Sequence, residues 1–471
     1  MLPKWFIKAS LGALACAALV ACGGGGGTSL GADTASAASV AAKLAESPFT
    51  PQALSCSVED QRTWLRGFVS QEYFWNSFAS APNENAATSA AYLDSMLYKP
   101  TDRYSGGQAT AQFTAFFVDG MRTGFGYSLV WADAAQTLLQ VRFVEPLSPV
   151  GLAGLVRGDA IVSIDGFNPQ DIAAGKLPSV ATAGVARTMR VKNLAGVVRD
   201  IQISSANYAV SPVLDARVLT TSGGSKVGYL AYQEFIASSA QALANAVNSF
   251  RAAGVSELII DLRYNGGGSV NVSRNFASMI GGASLNGQLF AGLRYNNKKA
   301  ENNFNYTFTS NANSLPAAPL SGINRLFFIT SASTASASEL VINALKPFMP
   351  VVSIGSTTFG KPYGSQPRDS CGTTYSLINF DTVNAQGVGG YSSGLLPTCT
   401  VADDLSKQLG DPSEARIAAA LGYMATGACP ATSSSQEKIQ SVTVKTPYSA
   451  TNHIAERIVF EDPRPSQMLA D

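Results

Sequence analysis

The chain has little histidine, little charge and no closely spaced cysteines. Its 471 residues include one histidine, His453, and no Cys-x-x-Cys motif, so a zinc site built from histidine and cysteine is not expected. Charged residues make up 14% of the chain and the formal net charge is +1. A balance so close to neutral gives no electrostatic case for binding nucleic acid. We therefore expect no metal, no cofactor and no nucleic-acid partner.

The first 22 residues have the features of an export signal. Lys4 and Lys8 flank the start of an apolar run, LGALACAALVA, which is too short for a comfortable membrane span. The run ends in Leu-Val-Ala-Cys, which resembles a bacterial lipobox. The resemblance implies a lipoprotein signal peptide over residues 1–21 and lipidation of Cys22. An ordinary secretory signal cut elsewhere is the alternative.

The Gly-rich and Ala/Ser-rich stretch at 22–50 is predicted to be a flexible tether behind the lipid. We therefore expect the protein in the bacterial cell envelope, lipid-anchored and facing the periplasm, with the membrane as a partner through the anchor.

Four cysteines remain once Cys16 leaves with the signal and Cys22 takes lipid. An even number in an exported protein predicts disulfides, with three possible pairings. We favour Cys371 with Cys399, because they bracket one loop-like segment, and this leaves Cys56 with Cys429.

Periodicity divides the rest of the chain into four parts. The first is predicted to be helical, with aromatic residues near helical spacing, and the second has short β-type runs broken by glycines. The third alternates apolar strands with helices, which predicts an α/β core with functional loops at the strand ends. The fourth is a Ser/Thr-rich tail. The four parts are residues 51–111, 112–208, 209–430 and 431–471.

Two sections of the predicted core lack clear periodicity. Residues 296–320 are polar and are predicted to be loop, and residues 365–400 are Gly-rich and are predicted to be irregular.

The sequence SPVGLAGLVRGDAIVSIDG, within 112–208, resembles the PDZ family. In that family a preceding loop offers backbone N–H groups to a peptide's terminal carboxylate, and the peptide then adds as a strand. The resemblance assigns this loop to Gly124, Phe125 and Gly126. Glycines permit the φ values that bring amides together around an anion. A simple tight turn is the alternative for Gly124 and Gly126.

The stretch ITSASTASASELVINAL places four serines ahead of a predicted helix. A serine nucleophile needs a positioned base. His453 lies in the tail, beyond the apparent end of the core, so a Ser-His-Asp triad is not favoured. A lysine can act as base if burial lowers its pKa, and Lys361 in TTFGK follows an apolar strand with little charge nearby.

These segments, STASASELVINAL and GSTTFGK with IIDLRYNGGGS upstream, resemble the carboxyl-terminal processing, or tail-specific, proteases over roughly residues 55–425. The resemblance implies an α/β fold: a crotonase-like (Clp-type) catalytic core with an inserted PDZ domain and an N-terminal helical cap. It makes Ser336 the nucleophile and Lys361, 25 positions later, the base.

The predicted oxyanion donors are backbone amides. Ser336 opens the helix, so the N–H of Ala337 lies at a helix N-terminus, and the second donor would come from Gly266 or Gly267. A plain S-x-x-E capping box is the alternative role for Ser336 and Glu339.

The other three serines, Ser331, Ser333 and Ser338, are predicted to be solvated loop or helix-start hydroxyls. Asp261 and Arg263 are predicted to be structural and to hold the glycine turn.

The sequence departs from the family at one point. The family often places a glutamine four residues after the lysine, but Ser365 stands there and Gln366 follows it. Either the turn is one residue longer and Gln366 still supports Lys361, or the lysine is held in another way.

We predict a serine endopeptidase with a Ser-Lys dyad that cleaves exposed C-terminal tails of proteins delivered by the PDZ domain. A non-catalytic PDZ lipoprotein that binds peptides is the alternative. A third candidate is a crotonase-type acyl hydrolase, although a small substrate would gain nothing from strand addition.

Overall fold

The computed structural model describes residues 49–431, together with the backbone of residues 458–459 and 468–469. The predicted signal, Cys22, the tether and His453 lie outside the described residues. No helix within the described ranges is long and apolar enough to cross a membrane.

Nine α-helices are found in the described part of the chain. They are Val58–Glu72 (α1), Ser89–Met96 (α2), Thr110–Phe117 (α3), Pro149–Leu152 (α4), Pro169–Ala173 (α5), Ala240–Ala253 (α6), Val270–Gly281 (α7), Ala337–Leu345 (α8) and Ala415–Thr426 (α9).

The strands of the first half are Gly106–Ala109 (β1), Met121–Gly124 (β2), Tyr127–Trp131 (β3), Leu139–Val144 (β4), Ala160–Ile164 (β5), Ala186–Lys192 (β6), Val198–Ser204 (β7), Ala206–Ala209 (β8), Val213–Thr220 (β9) and Lys226–Tyr232 (β10). Those of the second half are Glu257–Asp261 (β11), Gly268–Ser269 (β12), Leu289–Tyr295 (β13), Phe304–Thr307 (β14), Arg325–Thr330 (β15), Val351–Gly355 (β16), Tyr363–Ser365 (β17), Arg368–Ser370 (β18), Thr373–Ser376 (β19), Ile378–Val383 (β20), Cys399–Thr400 (β21), Ile458–Val459 (β22) and Met468–Leu469 (β23).

The central sheet has the strand order β21-β16-β15-β11-β10-β9. Neighbours from β21 to β10 are parallel and β9 is antiparallel. Alternate residues of β11 face opposite sides: Leu258 and Ile260 pack with α6, α7 and α8, whereas Ile259 packs with α9. Burial on both faces explains why the parallel strands are continuously apolar, and it confirms the predicted α/β class.

A second sheet has the strand order β12-β23-β17-β20-β13-β14. It includes β14 (304–307), within the segment predicted to be loop, and β20, within the segment 365–400 predicted to be irregular. The segment 365–400 also contains β18 and β19, which form a separate sheet with β1, and β21 of the central sheet. Both predictions were wrong because short paired strands with polar faces lack a strong apolar period.

A third, antiparallel sheet is formed by five strands within residues 127–204 together with β22, in the order β22-β3-β4-β5-β6-β7. It encloses its own apolar cluster, which includes Phe125, Leu129, Val141 and Ile161. The N-terminal helices form another cluster, in which Trp64 and Phe68 of α1 pack with Tyr375 of β19. Both aromatic side chains of α1 are buried core residues.

All four expected cysteines form disulfides, but the favoured pairing was wrong. Cys56 bonds Cys371 and Cys399 bonds Cys429, each with Cα atoms 5.5 Å apart. The predicted Cys371–Cys399 bond assumed one loop, whereas Cys371 sits in the turn between β18 and β19 and Cys399 begins β21 of the central sheet. Different sheets separate cysteines that are close in sequence.

Candidate active site

Ser336 stands immediately before α8, in an unusual backbone conformation. Its φ is +61° and its ψ is −116°, a combination that L-residues rarely adopt. The side chain is fully buried, and its hydroxyl has no hydrogen-bond partner among the described residues. Strain held at a buried residue with an unused hydroxyl is typical of a functional group kept in position by its surroundings.

Lys361 lies in the loop between β16 and β17, with only 1% of its surface exposed. Burial lowers the pKa of Lys361 to about 7, although the carboxylates of Asp102 and Glu339 act in the opposite direction. An amine with such a pKa is partly neutral at physiological pH and is therefore able to accept a proton.

Glu339 brings the serine and the lysine together. Its Oε2 atom accepts the main-chain N–H of Ser336 and that of Lys361, each at 2.8 Å. Its Oε1 atom accepts the Thr358 hydroxyl at 2.5 Å and the Gly360 N–H at 2.7 Å. One carboxylate therefore fixes the backbones of both predicted catalytic residues.

The chemistry of Glu339 matches this task. Burial raises the pKa of Glu339, while its four donors act in the opposite direction. A carboxylate with four incoming donors uses acceptors on both oxygens, as the ionised form does. The contact with Ser336 N–H is one part of the capping box considered from the sequence, but the bonds to 358–361 go beyond capping.

Residues from the N-terminal part of the chain form a wall beside Lys361 and its loop. The amine lies 5.6 Å from the ring centre of Tyr104, and the Tyr104 hydroxyl donates to Gly360 O at 2.6 Å. Arg103 donates to Phe359 O at 2.9 Å. The sequence carried no signal for these contacts, because they join residues 256 positions apart.

Asp102 anchors this N-terminal wall. Its Oδ1 atom accepts the main-chain N–H groups of Tyr104 and Ser105, each at 2.9 Å. Its Oδ2 atom accepts the hydroxyl of Tyr73 at 2.8 Å. The carboxylate is 2% exposed, so its negative charge acts on Lys361 with little screening by solvent.

The glycine turn after β11 lies next to the serine loop. Asn265 O accepts the N–H of Ala335 at 3.0 Å and the Ser338 hydroxyl at 3.2 Å. The Gly267 N–H donates to Asn265 Oδ1 at 2.8 Å, so it is already engaged. Of the two glycines named from the sequence, Gly266 is therefore the better placed to donate to an oxyanion. Ala337 is the first residue of α8, where N–H groups lack an intrahelical acceptor.

The sequence suggested that the remaining serines are solvated, and this prediction was wrong. Ser331 and Ser338 are fully buried and Ser333 is partly buried. The Ser331 hydroxyl donates to Arg263 O, and Ser338 donates to Asn265 O. These hydroxyls fasten the serine loop to the glycine turn.

Asp261 and Arg263 form an ion pair at the end of β11, directly before the same turn. Arg263 Nε donates to both carboxylate oxygens of Asp261, at 2.9 and 3.0 Å. Its other nitrogens donate to Asp403 and Glu414. The guanidinium is 1% exposed, which fits the structural role predicted from the sequence.

The structure does not bring Gln366 to the lysine by any hydrogen bond among the described residues. The Gln366 N–H donates to Asn379 Oδ1 at 3.0 Å. At the preceding position, the Ser365 hydroxyl is buried without a hydrogen-bond partner in the described part of the chain. The contacts of Tyr104 and Glu339 instead surround the base loop.

Gly124, Phe125 and Gly126 form the tight connection between β2 and β3. Phe125 is 2% exposed and packs in the core of the third sheet. Gly126 has a φ of +87°, and a Cβ there would lie 2.0 Å from Ser148 Cβ. Only glycine fits this position. The strand β3 begins at the next residue, Tyr127.

Comparison with known proteins identifies the core. Residues 226–389, which include Ser336, Lys361 and Gly266, match the model of peptidase family S41. A carboxyl-terminal-processing protease of Picosynechococcus sp. is 26% identical over 228 residues, covering 48% of this chain and 51% of the relative. One from Synechocystis sp. is 24% identical over 299 residues, covering 61% and 66%.

The chain thus spans between about half and two thirds of the length of these two relatives. Among solved structures, a Bacteroides fragilis protein assigned to the S41 proteases aligns with a TM-score of 0.65 and 25% identity, covering 78% of this chain and 97% of that one. On these findings residues 226–389 match peptidase family S41, and the chain is similar to carboxyl-terminal-processing proteases.

Proposed function

We propose that the protein is a serine endopeptidase with a Ser336–Lys361 dyad. The observation that carries the proposal is the shared carboxylate of Glu339, which holds a strained, unpartnered serine beside a buried lysine. The non-catalytic alternative is not favoured, because it gives no role to a lysine whose pKa is lowered to about 7.

In this mechanism, neutral Lys361 accepts the proton of the Ser336 hydroxyl while Oγ attacks the peptide carbonyl. The N–H groups of Ala337 and Gly266 stabilise the oxyanion. Protonated Lys361 then gives the proton to the leaving amine, which breaks the C–N bond and leaves an acyl-serine. Water, deprotonated by Lys361, hydrolyses the ester and restores both residues.

Substrates would arrive as extended C-terminal tails of proteins. The fold of residues 127–204 supports a PDZ-type role, since β3 directly follows the Gly124–Gly126 loop and only the two-residue strand β22 lies outside it in the sheet. A tail that adds along β3 would place its carboxylate by the loop amides. Lipidation of Cys22 would hold the enzyme at the bacterial envelope, on the periplasmic side.

Alanine variants test the dyad directly. Ser336→Ala and Lys361→Ala should each abolish cleavage of an unstructured peptide, measured by mass spectrometry, and leave the folded state intact by circular dichroism. The matched controls are Ser333→Ala and Lys346→Ala, which change a neighbouring serine and the exposed lysine at the end of α8. Full activity in either dyad variant would rule out the mechanism.

A further inference from the structure

The chain supplies a strand to the edge of its own third sheet. In β22, Ile458 pairs with Val130 and Val459 pairs with Leu129, both in antiparallel register. This puts β22 on the free side of β3, the strand that starts immediately after the Gly124–Gly126 loop. An incoming peptide would need this same edge, because strand addition uses the unpaired N–H and C=O groups of an edge strand.

A second short strand of the same segment lies between the glycine turn and the base loop. In β23, Met468 and Leu469 pair in parallel with Gly268 and Ser269 of β12. Leu469 also pairs with Ser365 of β17. The sheet order β12-β23-β17 therefore contains no direct contact between β12 and β17.

The gap that β23 fills is the width of one extended chain. Neighbouring strands lie about 4.8 Å apart, so β12 and β17 are separated by roughly 10 Å. On one side, β12 begins two residues after Gly266; on the other, β17 begins two residues after Lys361. A peptide in this slot passes between the proposed oxyanion donor and the proposed base.

We propose that the segment carrying β22 and β23 is an intramolecular ligand of two peptide sites, the outer side of β3 and the slot between β12 and β17. A substrate then has to displace it from both. Nine positions separate Val459 from Met468, and one continuous segment thus supplies both strands. The assignment of the slot to substrate rests on the proposed peptidase function, whereas the strand pairings do not depend on it.

Attachment gives this segment a large advantage over free peptides. A tethered ligand acts at an effective concentration on the order of millimolar. A substrate at micromolar concentration displaces it only by binding much more tightly or by engaging both sites together. The segment would therefore select against weakly bound and accidental peptides.

Proline substitution tests the pairing, since it removes a main-chain N–H and cannot continue a strand ladder. Two variants of the full chain are compared, Leu469→Pro and Leu469→Ala. Both lose the leucine side chain, but only the proline variant also loses the main-chain N–H. Hydrogen exchange at Gly268 and at residues 363–365 reports occupation of the slot without any need for catalysis, whereas the Ser269 N–H already donates to Phe235 O. Exchange in β11 serves as the internal reference. Val459→Pro and Val459→Ala repeat the comparison at residues 129–130.

The proposal predicts that Leu469→Pro loses slow exchange in the slot and reacts faster with a fluorophosphonate probe at Ser336 than Leu469→Ala does. Equal exchange in the two variants would overturn it, as would protection that depends on protein concentration, which would indicate a second copy. If no variant reacts at Ser336, the peptidase proposal fails, and the exchange result still decides the pairing.

Discussion

The serine loop and the base loop reach the same site by opposite routes. Ser336 is placed chiefly by residues close to it in sequence: the start of α8 and Glu339, three residues later. The loop that carries Lys361 accepts hydrogen bonds from Arg103 and Tyr104, in a distant part of the chain, and Asp102 beside them acts on the lysine through its charge. The proposed nucleophile is thus positioned by local structure, whereas the basicity of the proposed base is set by tertiary contacts.

Glu339 is the group the two loops share, and changing it should have the largest effect. Glu339→Gln replaces one carboxylate oxygen with an NH2 group that cannot accept a hydrogen bond, so two buried donors lose their partner at a cost of about 1–3 kcal/mol each. Because both catalytic backbones shift, peptide cleavage should fall about 100-fold or more.

The kinetic measurement for Glu339→Gln separates kcat from KM, and kcat should carry the loss. Thr358→Val, which removes one of the four donors, should give a smaller loss. Glu257→Gln, at the far end of β11 from the glycine turn, is the matched control. A Glu339→Gln enzyme with normal kcat would show that the two loops are positioned independently.

Tyr104 should affect the base and leave the nucleophile in place. Tyr104→Leu opens the wall over Lys361 to water, which relieves the burial that lowers its pKa. Cleavage at pH 7 should fall roughly tenfold and recover at alkaline pH. Tyr104→Phe keeps the ring and loses only the bond to Gly360 O, so its rate–pH profile should stay closer to the parent. Identical profiles for the leucine and phenylalanine variants would contradict this role for the ring.

Asp102 should give the smallest effect, with the opposite sign. Its carboxylate favours protonated Lys361, so Asp102→Asn should lower the lysine pKa further and extend activity to more acidic pH. The gain below pH 7 should be only a few-fold, because one charge is removed while burial stays. The exposed Asp94→Asn is the control. A shift of the profile toward alkaline pH would show that Asp102 acts through structure and not through charge.

The sequence was informative where the determinants are local. The serine motif, the spacing to Lys361 and the apolar strands predicted the α/β core and the two residues that Glu339 joins. The disulfide pairing could not be predicted, because Cys371 and Cys399 belong to different sheets. Tyr104 was missed for the same reason, since its contacts depend on how the N-terminal part packs against the core.

The most direct measurement is the rate at which a fluorophosphonate modifies the protein between about pH 5 and 10, with the modified residue mapped by mass spectrometry. We predict modification at Ser336, a rate that rises with pH around the lysine pKa of about 7, and loss of the reaction in Lys361→Ala. Modification of Ser333 or Ser338, or a Ser336 rate that is flat with pH and unchanged in Lys361→Ala, would contradict it.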